Sequence, residues 1–190
     1  MDVVIILPNN LFENNALISK NSTVYIYEHP VYFIKYRYHK LKLILHRSTM
    51  KRYEEYVMKK YKCNVKYLEY GYDIEKVFKK HSKKKIDMYD PVDHDVIREF
   101  KKLSRAHDIE LFVHETPMFV STISDLKSYL NQGGKYHQTS FYIWQRKRFG
   151  ILLTKENKPI GGRWTYDTKN RLPYSDKFKT NSKFKINNDK

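Results

Sequence analysis

Cysteine is almost missing from this chain: Cys63 is the only one in 190 residues. One thiol forms no internal disulfide and cannot by itself hold a structural zinc or an iron–sulfur cluster. Long apolar runs are missing too. Nothing approaches the roughly 20 consecutive apolar residues of a membrane helix, and the brief apolar stretch over 3–8, preceded by Asp2, lacks the basic start and long middle of a signal peptide. An intracellular setting follows as the expectation, with neither a membrane nor a disulfide-linked partner. There is no G-x-G-x-x-G after the first apolar run, no phosphate-binding P-loop and no G-x-S-x-G elbow. The eight histidines show no metal-ligand spacing, and Cys63 has no evident His partner. Dinucleotide, hydrolytic and thiol chemistry therefore have little support.

Positive charge and aromatic rings are abundant. The net charge is +16, with 37 Lys and Arg against 21 Asp and Glu, and there are 17 tyrosines. Such a balance favours a polyanionic partner through counterion release from phosphates. An A/T-rich coding bias toward Lys, Asn, Tyr, Ile and Phe gives much of the same excess without selection for binding. DNA is accordingly one expected partner, not a required one.

Apolar runs alternate with amphipathic stretches. Residues 3–7 form a continuous apolar run, as in a parallel strand covered on both faces. Further strands are expected at 23–27, 64–68, 86–89 and 109–113. Helices are expected at 39–60, with Leu41, Ile44, Leu45, Tyr53 and Val57 at helical spacing, at 73–80 capped by Asp73, and at 93–103 capped by Asp93. Another starts at Thr122 or Ser124 and ends before Gly133-Gly134, and a last one covers 140–153. Strand–helix alternation at these intervals predicts an α/β fold, a Rossmann-like doubly wound parallel sheet of about five strands. The domain expectation is an α/β domain over 1–134, a helix and irregular linker over 135–174, and a basic disordered tail over 175–190.

In open parallel sheets ligands bind beyond the carboxyl ends of the strands. Asn9, Asn10, Glu28, His29 and Thr116 fall there. They can hydrogen-bond a heteroaromatic ring or a polyol, or simply build turns and caps. His39-Lys40 opens the long helix, and a lysine there opposes the helix dipole unless an anion or another role explains it. The run Lys79-Lys80-His81-Ser82-Lys83-Lys84-Lys85 reads either as a phosphate contact or as a solvated loop. Arg146, Lys147, Arg148 and Arg163 interleave with Trp144, Phe149, Trp164 and Tyr166. Such a mixture stacks bases while holding phosphate, or clamps a linker by packing and cation–π contact.

This last region carries a resemblance. Phe141-Tyr142, Arg146-Lys147-Arg148, Leu152-Leu153, Lys158-Pro159-Ile160-Gly161-Gly162-Arg163-Trp164-Thr165-Tyr166-Asp167 and Asn170-Arg171 resemble a signature of the photolyase-related family. Its members are the bacterial cryptochromes and (6-4) photolyases that carry an iron–sulfur cluster. Glu28 and the His39-Lys40-x-Lys42 element also fall where that family has a Glu and an H-K-x-K element. The resemblance spans roughly 3 to 175. It implies an N-terminal antenna-type domain, with Gly161, Gly162, Trp164 and their neighbours leading toward a helical domain that holds FAD and a [4Fe-4S] cluster. It implies a ribityl-lumazine antenna chromophore near Asn9, Asn10 and Glu28, with His39 and Lys40 in a binding or structural role. Relatives read G-D-Q where this chain has Pro8-Asn9-Asn10. FAD and the cluster would come only through a separately encoded partner half. Arg146, Arg148, Gly161, Gly162, Arg163, Trp164, Asp167, Asn170 and Arg171 are the residues expected at the docking or nucleic-acid surface. The expected function is a split or truncated photolyase-like protein for light-dependent repair or photoreception, not catalytic alone. A small basic DNA-binding module or an inactive relic is the alternative.

Overall fold

A computed structural model describes residues 2–167. Asn170, Arg171 and the tail expected at 175–190 lie outside the described residues. The chain divides into two compact units, Met1–Val120 and Ser121–Lys190.

The first unit is a five-stranded, all-parallel sheet in the order β3-β2-β1-β4-β5. The strands are β1 (Val3–Ile6), β2 (Thr23–Tyr27), β3 (Asn64–Leu68), β4 (Lys85–Tyr89) and β5 (Glu110–His114). Between them run α1 (Pro30–Phe33), α2 (Lys40–Tyr61), α3 (Glu75–Lys80) and α4 (His94–Ala106). This is the α/β, Rossmann-like parallel sheet expected from the strand–helix alternation. β1 and β2 are buried at every position, which is why they read as continuous apolar or β-branched runs instead of alternating ones.

Strand periodicity sorts the core into two layers. Val3, Ile5, Tyr25, Tyr27, Ile86 and Met88 pack with Val77 and Phe78 of α3 and Val96 and Phe100 of α4. On the other face Val4, Ile6, Val24 and Ile26 pack with Met50, Tyr53 and Val57 of α2. The chain reverses direction across the sheet between β1 and β4, so the crevice where such folds take ligands opens at their carboxyl ends.

The start of α3 and the presence of α1 differ from expectation. α3 starts at Glu75 with Ile74, which has no side-chain acceptor, at its cap position, and Asp73 Oδ1 accepts from the Glu75 N–H at 3.0 Å one residue earlier. The four residues of α1, too short to show a period, were not expected. His29 caps them, its Nδ1 accepting from the Val31 N–H, and Pro30 supplies the preset φ of a first turn. Asp93 caps α4 as expected, accepting from the N–H groups of Asp95 and Val96.

α2 corrects the sequence reading more substantially. Its apolar spacing continues through the helix, yet only Met50, Tyr53 and Val57 are buried. Leu41, Ile44 and Leu45 are 67%, 53% and 63% exposed. The first two turns therefore extend past the sheet, and only the later turns lie on it.

The second unit, as far as it is described, holds α5 (Ile123–Asn131) and α6 (Gln138–Phe149). Thr122 starts α5 with a reciprocal capping box: its Oγ1 accepts from the Asp125 N–H, and Asp125 Oδ2 accepts from the Thr122 N–H. α6 stops earlier than the expected 153, at Gly150, whose φ of 64° gives a left-handed cap.

If only the later turns of α2 are load-carrying, Met50→Ala costs about 2–5 kcal/mol, whereas Leu41→Ala and Leu45→Ala each stay within about 0.5 kcal/mol. Urea unfolding of the three variants checks this, and equal losses at all three would mean that the first turns are packed.

Candidate functional site

The carboxyl end of β2 is organised by Glu28, which has no exposed surface. A bare buried carboxylate is costly, so its oxygens must be matched. Arg47, from α2, supplies a fork: Nε donates to Oε1 at 2.7 Å and Nη2 to Oε2 at 2.6 Å. The Tyr67 hydroxyl of β3 donates to Oε1, and the Tyr70 N–H donates to Oε2 at 3.2 Å. Burial pushes the Glu28 pKa up, but the Arg47 and Tyr67 bonds and the Tyr70 N–H outweigh it and leave it below the usual carboxylate value. Burial and the Glu28 charge together push the Tyr67 hydroxyl up.

Beside this cluster lies a cavity of about 230 Å³ between α1 and α2, lined by Phe33, Ile34, Leu43, Ile44, Arg47 and Tyr70. Phe33 and Tyr70 are near-parallel rings with centroids 6.3 Å apart, and the Arg47 guanidinium lies 5.6 Å from the Tyr70 centroid. The walls are apolar and aromatic, with a single cationic donor. That lining fits a flat ring with an acceptor atom at its edge better than a polyol. The volume is below the roughly 300 Å³ at which drug-sized ligand pockets begin, so a ring with a polar tail would leave its tail outside.

The two asparagines face elsewhere. Asn9 Nδ2 donates to the Pro91 carbonyl at 2.7 Å and Asn10 Nδ2 to the Asp90 carbonyl at 3.5 Å. They tie the loop after β1 to the loop after β4, across the crevice where the strand order reverses. Asn9 Oδ1 and the neighbouring Tyr32 hydroxyl are enclosed there without a hydrogen bond of good geometry. His29 aims Nε2 at Glu99 Oε2, 3.3 Å away. Thr116 accepts from the Met118 N–H and so forms a turn.

His39 caps α2, its Nδ1 accepting from the Leu41 N–H at 3.2 Å. Lys40 is exposed at the first helical position, and Lys42 lies 4.2 Å from the Tyr38 ring centroid. The structure thus brings Glu28 together with Arg47, Tyr67 and Tyr70, none of which sequence reasoning selected. One signal was available: a carboxylate following a buried strand needs a cation, and Arg47 is a helical candidate.

In the second unit, Arg146 is 5% exposed. Its three guanidinium nitrogens donate to three carbonyls: Nε to Ile151 at 3.3 Å, Nη1 to Trp164 at 3.0 Å and Nη2 to Leu152 at 2.6 Å. Its guanidinium also lies 5.2 Å from the Trp164 ring centroid. Arg146 therefore ties the end of α6 to the turn carrying Gly161, Gly162 and Trp164. Gly161 has φ 81°, and a Cβ there would meet the Tyr166 hydroxyl at 2.1 Å. Gly162, at φ 73°, is likewise in the left-handed region. Arg148 pairs with Asp125 at 2.7 Å, and that bond is the first cause of an Asp125 pKa lowered to about 2. Lys147 lies 5.3 Å from the Trp164 ring, and Arg163 is exposed. Asp167 is the last described residue. Arg146 and Arg148 are engaged within the unit by hydrogen bonds and an ion pair, while Lys147, beside the Trp164 ring, and Arg163 are exposed.

Among the described residues no group of three or more His, Cys, Asp or Glu is placed to hold a metal ion, and no helix is long and apolar enough to cross a membrane.

A parallel α/β sheet with its polar cluster at the carboxyl ends, followed by an arginine-tied Gly-Gly-x-Trp turn, defines the class. The sequence profile of the deoxyribodipyrimidine photo-lyase-related proteins matches residues 4–190, and the chain belongs to that family. It is also 35% identical over 185 residues to the uncharacterized protein R852 of Acanthamoeba polyphaga mimivirus, a match covering 90% of this chain and 93% of that one.

Replacing Arg47 with Met leaves a buried carboxylate without its cation and costs about 3 kcal/mol near neutral pH. Glu28 has a lowered pKa when folded. The pair's contribution is therefore complete above the ordinary carboxylate range and is lost as pH falls through the folded value. Wild type and variant should draw together as pH falls below the ordinary carboxylate range, and urea unfolding at successively lower pH would expose a gap that stays constant.

Arg146→Lys keeps the charge but cannot reach three carbonyls at once. Limited proteolysis should cut near 150–164 at least about tenfold faster in the variant. An unchanged rate would mean that the turn is held without Arg146.

Proposed function

We propose that this chain works as the antenna-type α/β half of a photolyase-related protein, with FAD and a [4Fe-4S] cluster supplied by a separate polypeptide. The observation that carries this reading is the family match over 4–190 coinciding with the parallel sheet and the Gly161-Gly162-Arg163-Trp164 turn. One cysteine cannot ligate a four-iron cluster, so those ligands must come from elsewhere.

Within this reading the cavity beside Arg47 takes the flat ring of a lumazine-type chromophore, against the walls that Phe33 and Tyr70 provide. Glu28 is then a positioning residue, which holds Arg47 toward the ring instead of touching it. Asn9 and Asn10 shape the neighbouring loop through their bonds to Pro91 and Asp90. His39 and Lys40 contribute the start of α2, with Lys40 free to meet an acidic group on the ligand or partner. Residues 138–167 form the docking surface for the FAD half, with Lys147 and Arg163 as its cations. The DNA-binding alternative rests on one observation, the net charge of +16, and predicts a steep salt dependence, roughly −0.9 in log–log slope per neutralised phosphate.

Absorbance of the purified protein after loading with ribityl-lumazine and desalting tests the antenna role. Retained near-visible absorbance that is lost in Tyr70→Ala is the expected result. A blank spectrum at saturating ligand removes the antenna role, and salt-dependent retention on duplex DNA would then favour the alternative.

A further inference from the structure

The lysine run around His81 separates into two kinds of residue. Lys79 pairs with Glu75 at 3.2 Å, and Lys85 pairs with Asp87 at 3.0 Å. Lys80 and Lys84 have no carboxylate partner among the described residues, and neither does Lys66 of β3. Lys66 sits beside Tyr25 in the β2–β3 register, and the Tyr25 hydroxyl meets His81 Nε2 at 2.9 Å. Lys80 ends α3, and the Lys84 N–H donates to the His81 carbonyl at 3.1 Å. β3, the end of α3 and the turn before β4 thus bring three lysines, none with a carboxylate partner among the described residues, to the neighbourhood of one imidazole.

That imidazole is 93% buried, and its Nδ1 is enclosed without a hydrogen-bond partner. Burial lowers the His81 pKa first, and the charges of Lys84, Lys80 and Lys66 lower it further, with no carboxylate acting against them. Lys66 and Lys80 approach closely enough that Lys66 is the first cause of a lowered Lys80 pKa. A solvated lysine face spreads its long side chains apart, because like charges in contact are destabilising. An anion seated between these ammonium groups would reverse the sign of that contact through charge-assisted hydrogen bonds.

We propose that Lys66, Lys80 and Lys84 form a binding site for a phosphate group, with His81 as its floor. Two sources offer that chemistry, a free phosphate or diphosphate and the backbone of a nucleic acid. The site is separate from the Glu28–Arg47 cavity and does not depend on the antenna reading.

Calorimetric titration of the full chain at low salt, with inorganic pyrophosphate in one arm and a short duplex DNA in the other, tests this. The variant pair is Lys66→Gln/Lys80→Gln against Lys101→Gln/Lys102→Gln. The second pair removes the same two charges from exposed positions of α4 that have no ion pair. The site predicts that the first variant binds at least about tenfold more weakly, a loss of about 1.4 kcal/mol, while the control changes less than about twofold. Selective loss in the pyrophosphate arm identifies a free phosphate as ligand, and selective loss in the DNA arm alone identifies the nucleic-acid backbone. Equal losses in both variants, or no binding in either arm, overturn the proposal. Removing Lys66 relieves a like-charge contact, so the ligand-free variant should melt no lower than wild type. His81 ring resonances give a second readout, shifting with pyrophosphate in wild type and staying fixed in the variant.

Discussion

The buried carboxylate of Glu28 is the constraint around which the ligand-facing edge of the sheet is arranged. It stands where β2 ends, and its backbone N–H still donates to Leu68 of β3 as though the strand continued. Its side chain recruits one group from α2, one from β3 and one from the backbone after β3. The first turns of α2, which bury little apolar surface, are thereby held by a charge-assisted fork, while its later turns are held by the packing of Met50, Tyr53 and Val57. The cost of placing that carboxylate in the interior is offset only if every partner arrives together, which couples β2, α2 and β3 into one cooperative element.

The second unit uses an arginine in the complementary way. Arg146 satisfies three main-chain carbonyls, those of Ile151, Leu152 and Trp164. Gly161 sits in the left-handed region, which disfavours a side chain, and the Tyr166 hydroxyl, which donates to the Ile160 carbonyl, lies where its Cβ would be. A family signature that looks like a recognition surface in one dimension is in this respect a device for holding a turn. Its outward chemistry falls to the neighbours that the turn leaves exposed, Lys147 and Arg163.

Much of the scaffold was legible. β2 and β3 have the expected bounds, and the Asp93 and Thr122 caps work as their residue types predict, because strand burial and capping are local. α1 was not legible: four residues carry no period. The exposure of Leu41, Ile44 and Leu45 was hidden as well, since helical spacing reports a face but not what lies against it. At the site, Glu28, His39 and Arg146 could be named from the sequence. Arg47, Tyr67 and Tyr70 could not, because their contact with Glu28 spans nineteen, thirty-nine and forty-two residues.

By itself the sequence determined the fold class, the family and the excess of unpaired positive charge, because periodicity, motif order and composition survive without coordinates. Tertiary structure alone decided which charges are spent and which remain. Arg47 is spent on Glu28, Arg148 on Asp125, Lys79 on Glu75 and Lys85 on Asp87, while Lys66, brought by β3, joins Lys80 and Lys84 from a different stretch of chain. The reason is geometric. Electrostatic partnership depends on separations of a few ångströms between side-chain tips, and only the parallel sheet and the crossovers between its strands bring these side chains that close.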